Sequence, residues 1–248
     1  MGEQGMIVFL TSSPTGSLDQ SHVVDGLDRM NHFVDNLKKY WRVCAKCLMI
    51  AASPDAYDQN DEMVRYFSTV VKDAGLSYSQ FDILDKRNQW MPKEEITSFD
   101  VIFLGGGHVP TQNQFFEEIG LREKMKDFYG IVIGISAGTM NSADIVYAQP
   151  ELPGESTDPG YQKFLRGLGL TKIQILPHYQ MTKNFMLDGR RLFEDITFED
   201  SFGNKFLVLP DGSYFLSENG EESVWGESWW LSDGVMNKIC EHGEVKEL

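Results

Sequence analysis

The chain has 248 residues, of which 42% are hydrophobic and 24% charged, as in an ordinary globular protein. Its formal net charge of −15 argues against a nucleic-acid partner, because no basic stripe is present to neutralise phosphates. No apolar run approaches the roughly 20 residues needed to span a bilayer, and no targeting segment is visible. We therefore expect a cytoplasmic protein without nucleic-acid or membrane partners.

The three cysteines are too few for a disulfide framework, which favours a reducing compartment. Cys44-Ala-Lys-Cys47 has the spacing of a redox or zinc motif, but no second Cys or His pair lies nearby. We interpret both cysteines as structural and expect neither a metal nor an organic cofactor.

Buried strands and helices alternate through the first half of the chain. Apolar runs predict strands at 6–10, 47–52, 81–84, 101–104 and 131–135. Apolar periodicity and helix-start residues predict helices at 32–40, at 61–74, from 92 onward, and at 112–129 with a break near 120. This alternation predicts a mostly parallel sheet with helices on both faces, whose ligands bind beyond the carboxyl ends of the strands.

The second half changes character. Predicted strands at 173–178 and 206–213 are followed by short strands between Gly, Asn and Asp turns, so antiparallel β structure is expected to close the chain. Because no linker is visible, residues 1–248 are expected to form a single domain. Residues 15–30 are a polar loop, and whether it forms a lid is left open.

The strand predicted at 131–135 ends in the pattern Gly-x-Ser-x-Gly, with Ser136 between Gly134 and Gly138. This pattern is typical of a nucleophile elbow, a sharp turn from strand into helix that exposes the serine hydroxyl. Glycines are needed there because the strand and helix backbones approach closely. The new helix also aims its N–H groups at the space beside the serine, where an oxyanion can bind.

Three other strand ends carry candidate partners for Ser136. Gly105-Gly-Gly107 fits no nucleotide motif, and is interpreted either as an oxyanion loop or as a tight turn. His178 follows Leu-Pro, where it is either a general base or an ordinary polar residue. Asp211 lies in Leu-Pro-Asp-Gly, which is also an ordinary turn sequence.

These four motifs, in this order over most of the chain, resemble the dipeptidase E (aspartyl dipeptidase) and cyanophycinase family of serine peptidases. The resemblance implies a class I glutamine amidotransferase-like fold, a flavodoxin-like three-layer α/β/α sandwich with a C-terminal antiparallel extension. It implies Ser136 as nucleophile and His178 as general base, with the amides of Gly107 and Ala137 as the oxyanion hole. The expected activity is cleavage of short peptides through an acyl-enzyme.

The acid of the triad has two candidates under this resemblance. Asp211 stands where family members often carry Glu, and Glu151 stands where an Asp has also been assigned. We favour Asp211, because its strand end should lie beside that of His178. If Glu151 is not in the triad, it is a candidate anchor for the free amine of an exopeptidase substrate.

Substrate binding is expected to involve Gly106, His108, Arg190 and Arg191. The family usually carries Asn where this chain has His108, which leaves a preference for N-terminal Asp open. An acidic side chain would need a cation, and Arg190 and Arg191 are the nearest candidates. The partner is expected to be a small peptide, and the protein a monomer or a homodimer.

Two other functions remain as alternatives. In an α/β-hydrolase esterase the order nucleophile, acid, His would give Ser136, Asp211 and His242. His242 lies in a polar tail without a strand end beside it, which disfavours this assignment. The second alternative is a non-catalytic member of the fold that uses the same pocket for binding.

Overall fold

The computed structural model describes residues 5–16, 20 and 23–248 of the chain. The strands are β1 (Ile7–Thr11), β2 (Ala45–Ile50), β3 (Tyr78–Leu84), β4 (Val101–Leu104), β5 (Ile131–Ile135), β6 (Ile145–Tyr147), β7 (Phe164–Arg166), β8 (Gln174–Leu176), β9 (Met186–Leu187), β10 (Arg190–Arg191), β11 (Lys205–Val208), β12 (Tyr214–Glu218), β13 (Glu221–Trp225), β14 (Ser228–Ser232), β15 (Val235–Cys240) and β16 (Val245–Glu247). The α-helices are α1 (Phe33–Tyr40), α2 (Tyr57–Asp73), α3 (Lys93–Ile96), α4 (Val109–Glu118), α5 (Leu121–Met125), α6 (Ala137–Met140), α7 (Tyr179–Thr182) and α8 (Phe198–Asp200), with a π-helical stretch at Leu192–Thr197.

The central sheet has eight strands in the order β16-β13-β12-β1-β5-β4-β2-β3. The strands from β1 to β3 in this order pair in parallel, and β12, β13 and β16 extend the sheet antiparallel. The parallel strands alternate with helices in the chain, as the apolar runs predicted. The mostly parallel α/β fold and its antiparallel extension are thus confirmed.

Each face of this sheet is covered by its own apolar cluster. In β1, Ile7 and Phe9 point to the face that packs against α1 and α2, whereas Val8 and Leu10 point to the face covered by α3, α4 and α5. The alternation follows from the two-residue repeat of a strand. Burying each large side chain of this kind contributes about 1.5–3 kcal/mol, so the central strands hold the sheet between two helical layers.

A second sheet, in the order β15-β14-β11-β8, was not expected as a separate unit. Its β8 and β11 pair in parallel, and Ile175 and Leu207 pack into the same cluster as Leu104 and Phe115. The antiparallel C-terminal strands are divided between the two sheets because the turn after β11 carries the chain across to β12. This division places the carboxyl end of β8 beside the central sheet.

Many element boundaries differ from the predicted ones by several residues; for example, β2 is Ala45–Ile50 rather than 47–52, and α4 begins at Val109 rather than at 112. Helix α2 begins at Tyr57 rather than at 61, and β3 begins at Tyr78 rather than at 81. In both cases the additional residues are largely exposed, so they carry no apolar pattern that marks the element. Over the described ranges, no helix is both long enough and apolar enough to cross a membrane.

The turn from β5 into α6 requires glycine at both positions that flank Ser136, Gly134 and Gly138. A Cβ on Gly134 would lie 2.8 Å from Leu10 Cδ2, and one on Gly138 would lie 2.2 Å from the carbonyl oxygen of Leu104. Neither position has room for a side chain. The spacing of the Gly-x-Ser-x-Gly pattern is therefore a packing requirement of this turn.

We expect Gly138→Ala to destabilise the protein by at least about 2 kcal/mol, because its methyl group overlaps a backbone atom that cannot move alone. Chemical denaturation measures this loss. The matched control is Gly5→Ala, whose Cβ would have its nearest contact at 3.8 Å, and whose effect should stay within about 0.5 kcal/mol. Equal stability of the Gly138→Ala variant and the wild type would contradict this packing argument.

Candidate active site

A cavity of about 710 Å³ opens where the carboxyl ends of β1, β4, β5 and β8 meet. Its size lies within the roughly 300–1,000 Å³ of small-ligand sites. Ser136, His178, Glu151, Gly106 and Gly107 all line it, so it brings together most of the residues singled out in the sequence. A second cavity of about 650 Å³ is lined by residues 24–30 with Asp73 and Ala74, and these described lining residues include no Ser, Cys or His.

Ser136 occupies the turn between β5 and α6 with φ +51° and ψ −110°. A non-glycine residue rarely adopts a positive φ, and here the conformation is held by hydrogen bonds. The Ser136 N–H donates to the carbonyl oxygens of Thr11 (3.1 Å) and Ser12 (3.0 Å) at the end of β1. The strained turn presents the hydroxyl to the cavity, which is the geometry of a nucleophile elbow.

Ala137, the first residue of α6, follows the serine, and its backbone N–H has no acceptor among the described residues. The same is true of Gly106 and Gly107, which line the cavity in the loop after β4. The loop approaches closely because it lacks side chains: a Cβ on Gly106 would lie 3.4 Å from Ser136 Cβ, and one on Gly107 would lie 2.7 Å from Ala52 Cβ. Unpaired donors at such a site can hold a developing oxyanion.

His178 and Asp211 lie at the ends of the adjacent parallel strands β8 and β11. His178 Nδ1 is 2.8 Å from Asp211 Oδ1, and the aspartate side chain is fully buried. Because an ionised carboxylate only accepts hydrogen bonds, Nδ1 carries the proton and Nε2 is left as an acceptor. Within the described part of the chain, no hydrogen bond joins this imidazole to the Ser136 hydroxyl, although both line the cavity.

Glu151 also lines the cavity, and its Oε1 accepts a hydrogen bond from the Val109 N–H (3.1 Å) at the start of α4. Surrounding protein atoms desolvate this carboxylate and raise its pKa above the ordinary value. The Val109 N–H and the nearby His108 and His178 act in the opposite direction, and Glu155 adds to the increase. Glu151 forms no hydrogen bond to His178, which instead bonds to Asp211.

Three of the predicted substrate-binding residues do not line the cavity. His108 caps α4 and uses its two ring nitrogens to bond Thr111 and Glu155, each at 2.7 Å. Arg191 pairs with Asp195, and Arg190 bonds Glu199 and the Asp195 carbonyl. Arg190 and Arg191 belong to the small β9–β10 hairpin, whose flanking residues Phe185 and Leu192 line the cavity while the two arginines do not.

Two other described histidines, His32 and His242, do not line the cavity. His32 lies at the start of α1 and His242 is exposed after β15. His22 and part of the loop at 15–30 lie outside the described residues. His242 therefore does not take the position that the esterase assignment requires.

Sequence reasoning missed the residues that support the site from below. Ser12 Oγ accepts the His178 N–H (3.2 Å) and donates to the Leu209 carbonyl (3.1 Å). Under the glycine loop, Gln112 Nε2 donates to the Gly105 carbonyl (2.8 Å), and Asn141 Nδ2 bonds Gln112 Oε1 (3.0 Å). Nothing in the sequence marks these polar side chains as buried, so no local signal was available to identify them.

Comparisons with known proteins agree with the fold. Residues 23–223 match the sequence model of peptidase family S51. A crystal structure of a peptidase from an acI-B1 Actinobacterium superposes with a TM-score of 0.70 at 13% identity, covering 100% of this chain and 99% of that one. A putative peptidase E from Listeria monocytogenes EGD-e gives a TM-score of 0.53 at 14% identity, covering 95% and 99%. No curated protein matches the chain.

The raised pKa of Glu151 predicts how its replacement affects stability. The folded state holds the proton more tightly than the unfolded state, so ionised Glu151 lowers the free energy of unfolding above the raised pKa. Glu151→Gln removes this penalty and should raise Tm at pH 8 but not at pH 3, where the side chain is almost fully protonated in both states. Thermal unfolding at the two pH values measures the difference.

Glu155→Gln is the matched control with the opposite sign. Burial acts to raise the pKa of Glu155, but hydrogen bonds from the Leu152 and Glu151 N–H groups and from His108 outweigh it and lower the pKa. This carboxylate therefore stabilises the fold at pH 8, and its replacement should lower Tm there. A Glu151→Gln variant that is less stable than the wild type at pH 8 would show that the desolvation argument is wrong.

Proposed function

The chain belongs to peptidase family S51 and is a serine-type peptidase, and we propose that it is an exopeptidase that cleaves short peptides through an acyl-enzyme on Ser136. The observation that carries the proposal is a single cavity that contains Ser136 in an elbow turn together with His178, which is hydrogen-bonded to Asp211. A serine hydroxyl is a poor nucleophile at neutral pH and needs such a base.

In the proposed first step, Ser136 Oγ attacks the peptide carbonyl carbon while His178 Nε2 accepts the hydroxyl proton. Asp211 holds the imidazole in the tautomer that leaves Nε2 free, and stabilises the imidazolium once it forms. The carbonyl oxygen becomes an oxyanion, to which Gly107 and Ala137 donate their N–H groups. One such donor is worth roughly 2.7–4 kcal/mol in the transition state.

The second half of the cycle reverses these proton movements. The C–N bond breaks as His178 gives its proton to the leaving amine, and the acyl group stays on Ser136 Oγ. Water then attacks the acyl carbon, His178 takes its proton, and the Ser136 hydroxyl is regenerated as the acid product leaves. These steps need only groups from this chain and water.

Asp211 rather than Glu151 is our proposed triad acid. The support is the 2.8 Å contact to His178 Nδ1 and the complete burial of the Asp211 side chain, which strengthens its interaction with an imidazolium. Glu151 is bonded to the Val109 N–H and faces the cavity. We propose that it anchors the free α-ammonium group of the substrate.

An ammonium anchor limits cleavage to the first peptide bond, which makes the enzyme an exopeptidase. The sequence analysis left N-terminal Asp as a possible first residue, and the side chain that the cavity selects is considered in the next subsection. The esterase assignment is disfavoured by the exposed position of His242. We also propose that residues 1–248 form one domain, and a cytoplasmic location and a monomeric or homodimeric state stay predictions.

Covalent labelling tests the nucleophile. A fluorophosphonate should react with the wild-type protein at Ser136, and peptide mapping should recover the adduct there. Ser136→Ala should abolish labelling without loss of folding, whereas Ser13→Ala, which removes another hydroxyl from the same cavity, should retain it. Labelling that persists in Ser136→Ala would overturn the proposed mechanism.

Kinetics separates the roles of the two acids. Asp211→Asn should lower kcat by about 10⁴-fold, because the wrong imidazole tautomer is then favoured. Glu151→Gln should mainly raise KM, because it removes an interaction with the bound amine rather than with the transition state. N-acetylation of the peptide should likewise raise KM for the wild-type protein. It should change KM little for the Glu151→Gln variant, which already lacks the anchor.

The opposite pattern would exchange the assignments. A large loss of kcat in Glu151→Gln with little change in Asp211→Asn would place Glu151 in the triad. Equal turnover of free and acetylated peptides by the wild-type protein would contradict the exopeptidase proposal.

A further inference from the structure

The cavity around Ser136 has mostly apolar walls. On one side, Met63 and Phe67 of α2 lie beside Ile135, and Met63 Sδ would be 3.7 Å from a Cβ on Gly105, at the start of the glycine loop. On the other side, Met181 of α7 and Phe185 complete the wall. These side chains line the same cavity as Ser136.

Cations are lacking from this lining. His178 and Glu151 are the charged or titratable residues among the described lining residues, and His178 Nδ1 is committed to Asp211. Arg190 and Arg191 are paired with acids outside the cavity. The sequence positions outside the described ranges, 1–4, 17–19, 21 and 22, contain no Lys or Arg that could supply the missing charge.

The chemistry of these walls decides which first residue is accepted. A substrate carboxylate placed here would lose its hydration without gaining a cationic partner, and would lie in the same cavity as the Glu151 carboxylate. An apolar side chain instead gains about 25 cal/mol for each Å² of apolar surface removed from water. Thioether side chains are flexible, so Met63 and Met181 can adapt to apolar groups of different shape.

We propose that this peptidase selects peptides whose first residue is apolar, such as Met, Leu or Phe, and discriminates against Asp at that position. The inference rests on the proposed function, because it assumes that the free amine lies at Glu151 and that the first carbonyl lies at Ser136. The apolar walls then receive the side chain between these two points. Met63, Phe67 and Met181 are the residues that determine the specificity.

The test compares kcat/KM for the dipeptides Met-Ala, Leu-Ala, Phe-Ala, Asn-Ala and Asp-Ala with the full-length protein. The apolar substrates should exceed Asp-Ala by about 100-fold, which is within the range that pocket contacts provide. Asn-Ala has nearly the shape of Asp-Ala without its charge, and should be cleaved faster than Asp-Ala. An advantage below tenfold for the apolar peptides, or Asp-Ala as the best substrate, overturns the inference.

A second experiment introduces a positive charge into the apolar lining of the cavity. Met181→Arg should narrow the ratio of Leu-Ala to Asp-Ala by at least tenfold, because the guanidinium pairs with the substrate carboxylate. Met186→Arg is the matched control: this residue is 54% exposed and outside the cavity lining, so the ratio should not change. Equal shifts in both variants would show that general charge, not the wall, sets the preference.

Failure of the inference and failure of the proposed function give different results. If Asp-Ala is cleaved best, the exopeptidase proposal stands and the apolar preference is wrong. If no dipeptide is cleaved while a fluorophosphonate still labels Ser136, the exopeptidase proposal is wrong and the inference falls with it. If the Met181→Arg variant shows no cooperative thermal unfolding and is therefore not folded, the ratio of kcat/KM values for the wild-type dipeptide series tests the inference on its own.

Discussion

The site depends on a junction at the carboxyl end of β1, where the two sheets are tied together. The Ser136 N–H donates to the carbonyl oxygens of Thr11 and Ser12. The Ser12 hydroxyl accepts the His178 N–H and donates to Leu209, and so reaches the ends of both β8 and β11. The proposed nucleophile and base come from different sheets. Thr11, the last residue of β1, and Ser12, which follows it, therefore set the relation between them.

The same junction holds backbone strain. Ser136 and His178 both have positive φ, at +51° and +58°, and such conformations cost about 1–3 kcal/mol each. One hydrogen bond contributes about 0.5–1.5 kcal/mol net, so the bonds that Thr11 and Ser12 accept from Ser136 and His178 offset part of this strain. Packing supports the same position, since all residues of β1 are buried. The rigid centre of the sheet keeps both side chains aimed into the cavity.

Much of this arrangement was predictable because it follows from short stretches of sequence. Apolar runs identified the parallel strands, and the rule that ligands bind at their carboxyl ends identified the cavity rim. His178 and Asp211 were expected to meet because each follows a strand, and the structure places β8 and β11 side by side. Their joint membership of a second sheet was not predictable, because strands of three and four residues carry no signal about which sheet they enter.

What could not be predicted depends on the direction of a side chain or on burial of a polar one. Arg190 and Arg191 follow the His178 segment in sequence. Arg190 forms a salt bridge with Glu199, and Arg191 forms one with Asp195. Ser12 and Gln112 are ordinary polar residues in the sequence, and only the fold shows that they are fully buried. Glu151 had two possible roles, triad acid or amine anchor. Its hydrogen bond to the Val109 N–H could not be predicted, because it depends on the position of α4.

Charge distribution connects the whole chain to this cavity. A net charge of −15 creates a negative field that attracts cationic groups and repels carboxylates on approach. The potential at the cavity is negative as well, since Glu151 carries a carboxylate there and the described lining has no Lys or Arg. The long-range field and the local site therefore favour the same kind of substrate, a peptide that presents its ammonium group first. An acidic first residue works against both, whereas an apolar first residue adds no further negative charge to the peptide.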